Sequence, residues 1–149
     1  MTRFLLALAL VSAAATTARA ADEGLYEITK TDVKLAVGAT ATGSVTIKVK
    51  GGWHVNGEAP ISIALTPPAC VSLKKVKLTR ADLAASTNDT ARFDIPVSAS
   101  EAGKKTISAE AHFVICQEQA CKPVKETLAL AVDVTPAGAA KKPSKTKTR

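Results

Sequence analysis

The chain has 149 residues, with 20 Lys and Arg against 13 Asp and Glu, a formal charge of +7 at pH 7. The excess lies at the ends, because two basic residues fall in the first 20 positions and five in the last nine, so that residues 21–135 are formally neutral. Since stacking aromatics on a basic face are absent too, the composition excludes nucleic-acid binding by the domain.

The first 20 residues have the pattern of a secretory signal peptide. Arg3 precedes an apolar run from Phe4 to Val11, and Ala18-Arg19-Ala20 forms an Ala-x-Ala cleavage site. This run is too short to span a bilayer, as is every later apolar run. We therefore expect a mature protein that begins near Ala21, does not span a membrane, and works in the periplasm of a bacterium or is secreted.

Residues 21–135 have a usual length for one domain with one core. Apolar residues alternate there with polar or small ones, and a period of two is typical of half-buried strands. Seven to nine short strands with frequent turns predict an all-β fold, an immunoglobulin-like antiparallel β-sandwich. The predicted strands centre on Tyr26–Ile28, Val33–Val37, Val45–Val49, Ile61–Leu65, Val71–Leu73, Phe93–Val97, Ile107–Ile115 and Thr127–Val134.

Two features depart from the alternation. Residues Thr79–Ser86 predict a helical turn capped by Thr79, with Asp82 as an imperfect capping-box partner. Trp53, the one Trp of the chain, is expected to be a core anchor packed between the sheets. His54 follows it and points to the other face if the segment is extended.

The most informative stretch is Phe113–Pro123, in which Cys116 and Cys121 flank four residues between two apolar runs. A hairpin is the simplest interpretation, and facing residues of a hairpin lie close enough for a disulfide. Such a bridge stabilises by only about 2 kcal/mol in the chain-entropy model. Paired cysteines are the default outside the cytoplasm, so Cys70 is expected to be left over, although its bonding to either of the others stays open.

The run from Phe113 to Val134 resembles the closing hairpin of the amino-terminal periplasmic domain of DsbD, the thiol:disulfide interchange protein, and of related stand-alone bacterial domains. Gly52-Trp53-His54-Val55-Asn56, with Pro60, is similar to the Gly-Trp-His-Val motif near the start of that family. The resemblance spans roughly Tyr26 to Val134. It implies a redox pair that passes electrons from one protein to another.

By this resemblance Cys121 forms the mixed disulfide with a partner, and Cys116 is the resolving thiol. The implied partners are thioredoxin-like periplasmic proteins or a membrane electron-carrying protein, and no cofactor is implied. His54 is a supporting candidate through its place in the motif. Its other interpretation is a surface or hydrogen-bonded histidine.

Lys122 and Pro123, which follow Cys121, are further supporting candidates. Positive charge at Lys122 and Lys125 favours a thiolate there, but Glu118 in the turn opposes it, so the sign of the net pKa shift stays open. Pro123 suits the rim of a sheet where a partner docks, or simply ends the turn.

No metal site is predicted. Two thiolates with His54 or His112 would suit a soft cation, but Met1 is the only Met and leaves with the signal peptide. The cysteine spacing also exceeds the usual zinc spacing. On a strand, His112 shares a face with Cys116 but lies about 13 Å from it, so we do not expect it to act as a base.

The rival function is a secreted, non-catalytic immunoglobulin-like binding module that uses the disulfide only for structure. An exposed apolar strip beside the turn would favour a redox partner, and a charged, well-covered turn would favour the rival. Residues 136–149 lack large apolar side chains and are expected to form a disordered, Lys-rich tail. The tail either contacts an anionic surface or only keeps the protein soluble.

Overall fold

The computed structural model describes residues 24–138. The predicted signal peptide and residues 139–149 of the predicted tail lie outside this range. Within it the chain forms eleven strands and one turn of 3-10 helix at Arg80–Asp82. The strands are β1 (Tyr26–Thr31), β2 (Val33–Ala36), β3 (Thr40–Val49), β4 (His54–Val55), β5 (Ser62–Thr66), β6 (Val71–Leu73), β7 (Lys77–Thr79), β8 (Leu83–Ser86), β9 (Thr90–Ala99), β10 (Gly103–Gln117) and β11 (Ala120–Thr135).

The strands form two sheets. One has the order β1-β3-β9-β6, with β8 also paired to β9, and the other has the order β2-β11-β10-β5-β7, with β4 also paired to β10. The chain changes sheets between β1 and β2, and β2 then pairs with β11 in parallel, whereas the other recorded pairs are antiparallel. The fold is an immunoglobulin-like β-sandwich, as predicted.

The core lies between the two sheets and follows the period of two in the sequence. Along β9 every second residue is buried, from Ala91 to Ala99. The same alternation runs along β10 from Ile107 to Ile115. Each large apolar side chain that leaves water in this way stabilises the fold by about 1.5–3 kcal/mol. The predicted core strands are therefore confirmed, although Val37 and Leu128 are only half-buried.

Trp53 is less deeply buried than expected, so its prediction as a core anchor between the sheets was wrong. Trp53 is half-buried and packs against the margin of the core, whereas Phe93 and Phe113 are the aromatic side chains that are fully enclosed. The reason is local: Gly51 and Gly52 adopt φ values of +65° and +78°, and this turn places Trp53 before β4 begins.

The helical turn predicted over Thr79–Ser86 is confirmed only at Arg80–Asp82. Asp82 Oδ2 accepts a hydrogen bond from the Thr79 backbone N–H at 3.0 Å, which satisfies one donor at the start of the turn. The remaining residues, Leu83–Ser86, form β8 because β9 offers them a pairing edge. Among residues 24–138, no helix is long and apolar enough to cross a membrane.

Candidate site at the hairpin disulfide

The predicted hairpin is formed by β10 and β11, which pair from Gly103 opposite Val134 to Gln117 opposite Ala120. Cys116 lies directly opposite Cys121, and a disulfide joins them with the two Cα atoms 4.1 Å apart. This separation is typical of a non-hydrogen-bonded pair, in which side chains approach most closely. The bond between these two cysteines is thus confirmed.

A third strand extends the row of residues at the disulfide. On the other side of β10, His54 of β4 lies opposite Cys116. Paired residues share one face of a sheet, so His54, Cys116 and Cys121 form a row that we name the disulfide rung. Cys116, in the middle, is 4% exposed, whereas His54 and Cys121 are exposed. The structure therefore brings His54 beside the cysteines.

Asn56 lies on the same face, diagonally across from Cys116. Its backbone N–H donates to the Val114 carbonyl at 2.9 Å, which continues the pairing of β4 with β10. Its Nδ2 donates to Cys116 Sγ at 3.2 Å. Its Oδ1 accepts hydrogen bonds from the backbone N–H groups of Glu58 and Ala59, at 2.8 and 3.0 Å.

Arg80 holds the loop that contains Asn56. Its guanidinium donates to the carbonyls of Gly57 and Ala59, and to that of Asn56 at 3.3 Å. A guanidinium presents five donors in a planar fork and can satisfy several carbonyls at once. The sequence shows Asn56 only as the last residue of the Gly52–Asn56 motif, and neither Asn56 nor Arg80 was predicted as a site residue.

Lys122 and Pro123 follow Cys121 on β11. Lys122 lies opposite Ile115, and because successive residues of a strand alternate, its side chain is on the other face from that of Cys121. Lys125 is on the cysteines' face, opposite His112, but pairs with Glu110 at 2.9 Å.

Pro123 lies opposite Val114, two positions from the Cys116–Cys121 pair, so this pair also is a non-hydrogen-bonded one. The Pro123 nitrogen therefore points away from β10. In the structure of residues 24–138, no strand covers β11 on that side at this height, since β2 pairs only with Val132–Thr135. Proline here costs the sheet no hydrogen bond and blunts a free edge.

His112 is on the face of Cys116, four residues earlier on β10. Its Nε2 lies 2.7 Å from Glu110 Oε1, and Lys125 Nζ lies 2.9 Å from Glu110 Oε2. The hydrogen bond with His112, followed by the one with Lys125, holds the pKa of Glu110 below its usual range. Across residues 24–138, no three His, Cys, Asp or Glu side chains are grouped to hold a metal ion.

The hairpin turn itself is polar and uncovered. A cleft of about 650 Å³ lies beside it, lined by Gly52 and by Gln117–Ala120. This lining lacks the apolar side chains usual in small-molecule and cofactor pockets. The exposed large apolar residue of residues 24–138 is Val76, 54% exposed, in the loop after β6 and away from the hairpin turn.

Cys70 is the free cysteine, at the other end of the sandwich. Its carbonyl accepts a hydrogen bond from the Ser100 backbone N–H at 2.9 Å, just before β10 begins. The full length of β10 therefore separates it from the disulfide, about 44 Å at the usual rise per residue. A hydrogen bond with the Glu101 carboxylate, assisted by burial, raises the pKa of the Cys70 thiol.

No family model and no curated protein matches this chain. Among solved structures it is similar to AggA, the major subunit of aggregative adherence fimbriae type I from Escherichia coli, with 12% identity, 74% of this chain and 94% of that one covered, and a TM-score of 0.40. It is also similar to the PapD-like domain 7 of human CEP192, with 10% identity, coverage of 86% and 97%, and a TM-score of 0.42. A third similarity is to WR4, a C. elegans MSP family member, with 9% identity, coverage of 72% and 97%, and a TM-score of 0.42. These similarities concern the fold alone.

Proposed function

We propose that this chain is a non-catalytic, immunoglobulin-like binding module, in which the Cys116–Cys121 disulfide has a structural role. The observation that carries the proposal is the disulfide rung, where the bond ties β10 to β11 directly beside the pairing of β10 with β4. The bond lies at the tip of a hairpin whose last turn contains only polar and small residues, Gln117–Ala120. It holds that tip in register.

The small extent of apolar surface beside the turn also supports this function, since Val114, on the face of the disulfide rung, is half-buried. Thioredoxin-like proteins would be expected to dock on exposed apolar surface beside the turn. Within residues 24–138, the exposed large apolar side chain is Val76, and it lies away from the turn. Its position is shown by its carbonyl, which accepts a hydrogen bond from the Leu65 backbone N–H. Leu65 faces Ala109, which is seven residues before Cys116 along β10. The turn is polar but exposed, so it meets only part of the expectation for this function, which was a charged and well-covered turn.

A location outside the cytoplasm, in the periplasm or the medium, is part of the proposal. The signal-peptide pattern of residues 1–20 supports it, and so does a disulfide in a chain of this size. The Lys-rich tail would then be available to anionic surfaces. Amino-terminal sequencing of the exported chain tests the location, and a start near Ala21 is the expected result.

Electron transfer from a reduced thioredoxin tests the structural role. Equimolar reduced thioredoxin is mixed with the oxidised chain, the mixture is quenched with acid, and alkylated thiols are counted by mass. We expect Cys116 and Cys121 to stay joined, because structural disulfides have reduction potentials below that of thioredoxin. Rapid appearance of two new thiols on the chain would count against the structural role.

The second candidate function is thiol:disulfide interchange, as in the DsbD-like domains that the hairpin and the Gly-Trp-His-Val motif resemble. A specific observation favours it: Cys121 is exposed at a free edge, whereas Cys116 is buried and accepts a hydrogen bond from Asn56. This difference in exposure favours attack of a partner thiol at Cys121 over attack at Cys116. Here Cys121 would form the mixed disulfide, with a thioredoxin-like protein or a membrane electron-carrying protein as partner.

A further inference from the structure

The two sulfurs of the disulfide rung have different surroundings. Cys121 is exposed, and Cys116 lies between His54 and Cys121 on neighbouring strands. A thiolate that opens a disulfide bonds to one sulfur and expels the other as a thiolate. Because Cys121 is the more exposed residue, we expect attack at its sulfur, and Cys116 is then the thiolate that leaves. What surrounds Cys116 therefore influences how readily the bond opens.

The orientation of the Asn56 amide is fixed by its loop. Oδ1 accepts from the backbone N–H groups of Glu58 and Ala59. A flipped amide would direct its own N–H groups at these two donors, which cannot accept a hydrogen bond. The Nδ2 group must therefore be the one that faces Cys116 Sγ, at 3.2 Å. Arg80 holds the same loop in place through its carbonyls.

We propose that Asn56 promotes the opening of this bond by thiols, because it stabilises the thiolate that Cys116 becomes. An incoming thiolate forms a bond with Cys121 Sγ, the Cys116–Cys121 bond breaks, and its electron pair goes to Cys116 Sγ. A hydrogen bond to an ionised acceptor is stronger than one to a neutral acceptor. The contact with Asn56 therefore strengthens as the bond breaks, which lowers the barrier.

A second thiol completes the reaction. It attacks the incoming sulfur of the mixed disulfide and expels Cys121 as a thiolate. The two incoming sulfurs end as a disulfide, and Cys116 and Cys121 take up the two protons that the incoming thiols lost to solvent. The substrate class is thus a pair of thiols, either small or on a partner protein. This inference goes beyond the structural role proposed first, and its use in the cell rests on the second candidate function.

The test is the rate at which excess dithiothreitol opens the bond in the full mature chain, followed by acid quench, alkylation and mass measurement. Asn56→Asp keeps the size of the side chain and the acceptor for Glu58 and Ala59, but replaces the donor to sulfur by an oxygen. We expect opening to slow roughly tenfold or more. Asn88→Asp is the matched control, since it makes the same charge change at an exposed residue whose carbonyl bonds Val55, and it should leave the rate unchanged.

The pKa of the Cys116 thiol is a second readout, which a merely structural role of Asn56 would not move. It is measured by thiolate absorbance against pH in a chain that carries Cys70→Ser and Cys121→Ser. Asn56→Asp should raise this pKa, because a carboxylate replaces a hydrogen-bond donor. Arg80→Ala loosens the loop without changing the rung, so it should slow opening less, and it keeps the test available if Asn56→Asp does not fold.

The inference is overturned if folded Asn56→Asp opens at the wild-type rate and its Cys116 thiol keeps the wild-type pKa. Reduced thioredoxin in place of dithiothreitol separates the inference from the function. If dithiothreitol opening depends on Asn56 and thioredoxin leaves the bond intact, the inference stands and interchange with this partner class fails. If thioredoxin reduces the bond quickly but no rate depends on Asn56, interchange gains support and the inference fails.

Discussion

The two ends of this sandwich hold cysteine in different states, a disulfide at one end and a free thiol at the other. At one end, strand register sets Cys116 opposite Cys121, with the two Cα atoms 4.1 Å apart. At the other end, Cys70 stands in a turn with a φ of +68°, a conformation that non-glycine residues rarely adopt. Its thiol contacts a carboxylate and has no cysteine within reach. Strand register, and not the number of cysteines, therefore determines which pair is bonded.

The largest expected difference between the ends is in packing. Phe113, on the hairpin strand, is fully buried and makes an edge-to-face contact with Tyr26, with ring centroids 5.3 Å apart. Phe113→Ala should lower the free energy of unfolding by about 3–5 kcal/mol. Val71, next to Cys70, is smaller, and Val71→Ala should cost about 1–2 kcal/mol. Urea unfolding of both variants measures the two losses of free energy. Equal losses would contradict the expectation that the core side chain at the hairpin end contributes more to stability than the one beside Cys70.

The next effect concerns the bond itself. Reduction of the wild-type chain should lower the free energy of unfolding by about 2 kcal/mol, because the bond closes a short loop. Cys70→Ser should change the free energy of unfolding by less than about 0.5 kcal/mol, because Cys70 lies outside the buried core and forms no disulfide. Both values come from urea unfolding with and without reductant. A larger loss of stability from Cys70→Ser than from reduction would contradict the expectation that the disulfide contributes more to stability than the free cysteine.

The smallest expected effect is on the reactivity of Cys70. Its thiol pKa is raised first by the hydrogen bond with Glu101, so less thiolate is present at a given pH than for an ordinary cysteine. Glu101→Gln should lower the pKa and speed alkylation of Cys70 by iodoacetamide at pH 8. Glu118→Gln, at the hairpin turn, is the control and should leave the rate unchanged. A slower reaction in Glu101→Gln would show that the carboxylate does not act in this way.

Much of the fold could be predicted because burial in a sandwich has the same period as the strand. The alternation from Ala91 to Ala99 and from Ile107 to Ile115 appears in the sequence and in the core. The segment Leu83–Ser86 shows the limit of this argument. Its sequence, Leu-Ala-Ala-Ser, favours a helix, but pairing with β9 makes it a strand.

The site could be predicted where it is local in the sequence. Cys116 and Cys121 are five residues apart, so a hairpin brings them together without knowledge of the rest of the fold. Asn56 is 60 residues from Cys116, and their contact depends on the pairing of the two-residue strand β4 with β10. No periodicity reveals such a short strand. Arg80 acts through backbone carbonyls, which leave no pattern in a sequence.

The most direct test of the structural role is the reduction potential of the Cys116–Cys121 pair in the mature chain. The chain is equilibrated with glutathione or dithiothreitol buffers, and alkylated thiols are counted by mass. We predict a value below roughly −300 mV, as for structural disulfides of secreted proteins. A value of about −180 to −270 mV, the range of exchange proteins, would contradict the structural role and make thiol:disulfide interchange the leading function.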